Sequence, residues 1–91
     1  MSAIATAAAE YAKVADLDSD IAVIDAAPSP FPYPVPAVVT AAEPEALFII
    51  TAYMATSNHP YSVALTAKKL GVDYDEAAAR VETVISLLEK M

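Results

Sequence analysis

A chain of 91 residues holds one domain at most, and with 21 alanines inflating its apolar content and no cysteine it has neither the bulk for a large core nor a disulfide framework. Its net charge of −7 opposes binding to phosphate backbones or anionic lipid, which lysine and arginine must neutralise. Seven of the 12 acids lie in residues 1–45 against Lys13 alone, so the front half is the acidic half and suits basic or neutral protein surfaces as partners.

Ser2 can cap a first helix whose larger apolar residues, Ile4, Tyr11, Val14 and Leu17, recur at helical spacing with alanines between them. Ile21 and Ile24 continue the rhythm and favour one helix through to Asp25, the alternative being a break at the capping residues Asp18 and Ser19. The stripe is narrow and the alanine surface flat, which suits close packing on another helix. Residues 1–26 thus read as an acidic, alanine-rich helical segment.

Five prolines then fall on alternate positions, Pro28, Pro30, Pro32, Pro34 and Pro36. Each fixes its own φ near −65° and moves the residue before it out of the helical region, so the spacing predicts an extended run over Ala27–Pro36. In such a run the prolines remove the N–H groups from one edge while Ser29, Phe31, Tyr33 and Val35 keep theirs on the other, so a strand here pairs on one side only. A stiff arm loses little entropy on docking, which makes Phe31, Tyr33 and Val35, with Pro30, Pro32 and Pro34, the candidate partner-binding residues. The opposed reading folds the arm over the protein's own helices. Residues 27–43 are assigned to this arm, with Ala37–Ala42 still extended.

Residues 44–91 read as a three-helix module. Pro44 is placed as the first residue of a helix, with Glu43 and Glu45 at its positive end. That helix carries Leu47, Phe48, Ile50, Tyr53 and Met54 around most of its circumference, which predicts a central position, and it should stop near Ser57 and Asn58 because His59 precedes Pro60. Ser62 is taken to cap a short helix through Val63, Ala67 and Leu70, closed by Lys68, Lys69 and Gly71. Asp73 and Glu76 have capping-box spacing, and Ala77, Val81, Val84, Ile85, Leu88 and Met91 form one apolar stripe opposite a Glu76–Arg80 pair.

Ala67, Leu70, Gly71 and Val72 followed by a capped helix resemble the turn of a helix-turn-helix motif, over about half of the chain. The resemblance implies that the second helix enters the major groove with basic and amide side chains. Here that helix offers Asp73, Asp75, Glu76, Glu82 and Glu89 against Arg80 and Lys90, and Arg80 stands where the motif has a hydrophobe. A small regulator of this kind, acting through protein contact or on DNA, is the alternative function.

Asp16, Asp18 and Asp20 have the opening spacing of a calcium loop, but Ile21 replaces its glycine and Ala27 its bidentate glutamate, so no metal is assigned. His59, Ser62 and Asp73 are the only grouping with the residue types of a nucleophilic triad, and a chain this short builds no deep concave site to align them. No catalytic residue and no cofactor is assigned. The start lacks the basic and apolar pattern of a signal peptide, and the apolar stretch over residues 46–55 is too short to span a bilayer. The expectation is a mainly α, non-enzymatic subunit of a larger protein assembly, a virion (phage) component or a cytoplasmic protein, whose partners are other subunits or copies of itself, with neither nucleic acid nor membrane among them.

Overall fold

The computed structural model describes residues 2–91, which form six α-helices: α1 (Ala3–Val14), α2 (Leu17–Ala26), α3 (Ala37–Ala42), α4 (Ala46–Thr56), α5 (His59–Leu70) and α6 (Tyr74–Glu89). No strand occurs among the described residues. The mainly α reading therefore holds, and its differences from expectation have identifiable physical causes.

Ser2 caps α1, its Oγ accepting from the Ala5 N–H at 3.1 Å. The anticipated long first helix stops at Val14, earlier than the alternative break at Asp18–Ser19, because Asp16 captures the next turn: its Oδ1 accepts from the Ser19 N–H at 3.1 Å and starts α2. The Asp16 carboxyl is held below its ordinary value by the hydrogen bonds from the Ser19 side chain and backbone.

Ala37–Ala42 is helical, not extended. Once the prolines cease nothing forbids coiling, and Pro36 with φ −57° serves as the N-cap, its carbonyl accepting from Val39 and Thr40. Val39 is wholly buried and anchors this short helix. Pro44 precedes α4 instead of opening it, lying with Glu45 in a turn closed by Ala46 N–H to Glu43 O at 3.0 Å. Glu43 still serves the positive end of α4, since its carboxylate accepts from the Glu45 N–H at 3.2 Å. The expected stop is present at Ser57, which takes the left-handed conformation with φ 49°.

Asn58 caps α5 in place of Ser62, accepting from the Tyr61 N–H at 3.1 Å, so the helix starts at His59 with Pro60 in its first turn, where a missing N–H is harmless. Ser62 is instead buried, its Oγ donating to the His59 carbonyl at 2.8 Å. Gly71 ends α5 with φ 69°, as its position predicts. Asp73 Oδ1 accepts from the Glu76 N–H at 2.7 Å and caps α6. Along α6, Ala77, Val81 and Val84 are buried and Ile85 and Leu88 half-buried, while Met91 lies beyond the helix and exposed.

The central helix is α5, not α4: it packs against α1, α2, α4 and α6. The cause lies in side-chain size. Small residues, Ser62, Ala64, Thr66 and Ala67, alternate with Val63 and Leu65, so neighbouring helices approach α5 closely on several sides. Ala5 and Ala8 of α1 supply the matching flat surface and are fully buried. The more apolar α4 buries Phe48, Ile49, Ile50 and Ala52 but leaves Leu47 and Met54 outside. One continuous core joins residues of all six helices, with Ala8, Leu17, Ile24 and Val39 contributed by the front half.

Candidate functional site

The proline segment, residues 27–36, carries neither helix nor strand and bends across residues 30–33. The bend is tied by Ser29, whose Oγ accepts from the Phe31 N–H at 3.3 Å. Alternate residues of an extended chain share a face, so Phe31, Tyr33 and Val35 begin on one side. Phe31 and Val35 turn inward and pack partly buried against the core. Tyr33 does not follow them: its ring stacks on Phe31, centroids 5.4 Å apart at 30°, and remains 54% exposed. Pro30 is half-buried, and Pro32 and Pro34 are exposed. The outward group is thus Tyr33 with Pro32 and Pro34, held from beneath by Phe31.

A second outward apolar feature lies at the end of α1. Val14 is 83% exposed and, with Glu10 and Tyr11, lines a shallow apolar depression of about 250 Å³. Tyr11 is fixed there by two contacts, its hydroxyl accepting from the Asn58 side-chain amide at 2.7 Å and its ring lying 5.3 Å from that of Tyr61.

The residues with chemical potential are engaged separately. Ser62 donates to a backbone carbonyl, Asp73 caps α6, and the His59 ring meets Tyr53 edge-on at 6.2 Å with its Nε2 buried and unpartnered. No side chain of the three hydrogen-bonds the side chain of another, Ser62 reaching only the backbone of His59, so no nucleophile is activated by that grouping. Asp16, Asp18 and Asp20 likewise diverge: Asp16 accepts from Ser19, Asp18 faces Lys68 at 3.9 Å, and Asp20 accepts from the Tyr61 hydroxyl. No cluster of three ligating side chains able to hold a metal occurs among the described residues. The Tyr61 hydroxyl is pushed up to about 12, first by donating to Asp20, then by burial and the nearby Asp20 and Asp16 charges, so it keeps its proton throughout the neutral range.

The surface of α6 and its cap is acidic, with Asp73, Asp75, Glu76, Glu82 and Glu89 exposed. Arg80 is committed to Glu43 at 3.2 Å and to Glu76 at 3.6 Å. A phosphate backbone approaching this helix meets five carboxylates before a free cation at Lys90.

Two tertiary features escaped the sequence reading. Glu43, assigned only to a helix end, is buried against Arg80, and the acids of α2 meet the lysines at the end of α5: Asp25 Oδ2 lies 2.8 Å from Lys69 Nζ, beside the Asp18–Lys68 pair. The signal was present as four acids at 16–25 with no base among them and a Lys68–Lys69 doublet with no acid in the preceding residues back to Glu45.

The chain matches no protein-family model, no curated protein and no solved structure at a significant level. Among the described residues no helix is long and apolar enough to cross a membrane.

Proposed function

We propose that this chain is a non-enzymatic structural subunit that joins a larger protein assembly through its proline segment and the exposed end of α1. The observation that carries the reading is the Tyr33 ring, presented outward from a proline-stiffened bend and held from beneath by Phe31. An aromatic anchor already fixed in its bound orientation gives up little entropy on contact, and such anchors carry much of the energy of protein interfaces. The exposed Val14 at the end of α1 offers a second point of attachment. The acidic surface of α6 supports protein over nucleic acid as the partner. An arm-bearing helical body suits the shell or tail of a virion, where neighbouring subunits interlock.

The test compares Tyr33→Ala with Phe31→Ala. Tyr33→Ala should leave the melting temperature of the free chain within about 2 °C while displacing the chain from the assembly fraction of a density gradient run on its native source. Phe31→Ala should lower both, because its ring also packs on the core. Unchanged co-sedimentation of the Tyr33 variant would refute docking through this segment.

A further inference from the structure

Three polar contacts tie α2 to α5 beside its apolar anchors. Asp18 faces Lys68 at 3.9 Å, Asp20 accepts from the Tyr61 hydroxyl, and Asp25 pairs with Lys69 at 2.8 Å, all three reaching from α2 to α5. Its apolar anchors are Leu17 and Ile24, with Ile21 half-buried and Val23 turned outward. Open clefts border both ends of α2: one of about 460 Å³ is lined by Leu17, Asp18, Ala64, Ala67 and Lys68 among others, and one of about 210 Å³ by Ile24, Asp25, Ala27, Leu47, Phe48 and Thr51.

The proline segment that follows adds only Phe31 and Val35 as inward apolar residues before α3 anchors the chain again at Val39. Residues 17–36 therefore order a long stretch of backbone on few contacts. Fixing one residue's backbone opposes folding by more than one exposed ion pair returns, so this stretch sits at the low end of local stability. The titratable groups facing the three carboxylates are Tyr61, Lys68 and Lys69 of α5, Glu45 beside Asp25 at the head of α4, Tyr74 of α6 on the first cleft, and Asp16 at the cap of α2 itself. Both ion pairs reach solvent, so screening salt weakens them without supplying a replacement contact.

We infer that residues 17–36 form a detachable strap: α2 and the proline segment lift from α5, hinged at Ala15–Asp16 and at Pro36, when the Asp18, Asp20 and Asp25 contacts are screened or removed, while α1 and α3–α6 stay folded. The inference goes beyond docking through Tyr33 and stands whatever the partner is. The strap's opening turns Phe31 and Val35 from core-covering residues into exposed ones.

Amide hydrogen exchange at neutral pH tests it on the full chain. A Tyr61→Phe, Lys68→Met, Lys69→Met variant removes the polar partners but keeps their apolar bulk, and an Asp18→Asn, Asp25→Asn variant acts from the α2 side and leaves α5 intact. In both, and in the unaltered chain at about 1 M salt, the amides of residues 20–26 should exchange at least about tenfold faster while those of α1, α5 and α6 change by less than about twofold. Unchanged protection of residues 20–26 in the variants overturns the strap, since the apolar anchors alone would then hold α2. Loss of protection by all helices together in the Asp18, Asp25 variant overturns it too, because no separate unit would exist. If the first variant fails to fold, the second still decides.

Discussion

Along α5 every residue from Ser62 to Ala67 is buried, whereas α2 buries only Leu17 and Ile24 of its ten residues. The two helices lie against each other, so the difference is one of means: α5 is held by shape and small side chains on several sides, α2 by two buried apolar anchors supplemented with polar links to α5. Dispersion and water exclusion are lost only when atoms separate, while an exposed ion pair weakens with salt and pH at fixed geometry. Added salt therefore weakens the ion pairs of α2 but not the close packing of α5.

The largest test of the contrast is a pair of truncations. Leu65→Ala should destabilise by about 2–5 kcal/mol in chemical denaturation, as for fully buried leucines, and Leu17→Ala, beside an open cleft, by about half as much or less. Equal losses would show α2 to be as tightly built as α5. Arg80→Ala comes next. It removes the charge partner of the Glu43 carboxylate, whose side chain is only 5% exposed and keeps only the Glu45 N–H, and should cost about 1–3 kcal/mol, against less than about 1 for Lys69→Ala at the more exposed Asp25 pair. Reversal of that order in thermal melts would break the distinction between buried and exposed polar links.

Thr66→Val probes a flaw inside α5 itself. The Thr66 hydroxyl is buried without a partner, so an isosteric methyl should raise stability by about 1 kcal/mol; a drop would mean the hydroxyl is satisfied. The smallest effect is confined to high pH. Tyr61 ionises at its ordinary value of 10.0 in the unfolded chain but near 12 when folded, so the folded form binds more proton between those values and stability falls as pH rises through them. Denaturation midpoints of the unaltered chain should decline more steeply over that interval than those of Tyr61→Phe, and parallel slopes would dissociate Tyr61 from Asp20.

The sequence was most legible where signals are local and reinforce one another. In α6, a cap at Asp73, a terminator at Gly71 and a clean stripe all agree, and the helix is where they place it. Ala37–Ala42 was illegible because six residues span too few turns for periodicity, and what fixes them is the distant burial of Val39. The centrality of α5 was hidden for a related reason: hydropathy marks α4, but helices approach most closely over small residues, which carry little hydropathy. At the proline segment the residue types were readable and their division was not. Proline spacing restricts the backbone, but it does not tell which of Phe31 and Tyr33 finds room in the core.

Gly71 is the chain's single glycine, and at φ 69° a hypothetical Cβ would meet nothing within 4 Å. Space is therefore no obstacle there; handedness is. A left-handed site that disfavours an L-residue for its backbone suits the backbone of the mirror-image residue, so D-alanine introduced at position 71 by chemical ligation should stabilise the chain by about 0.4–1 kcal/mol through a less varied unfolded state. Ser57 adopts the other left-handed helix end with an L-side chain in place. The two joints of α5 thus share one handedness and differ in strain, one relaxed by the absence of a side chain and the other holding one against its preference.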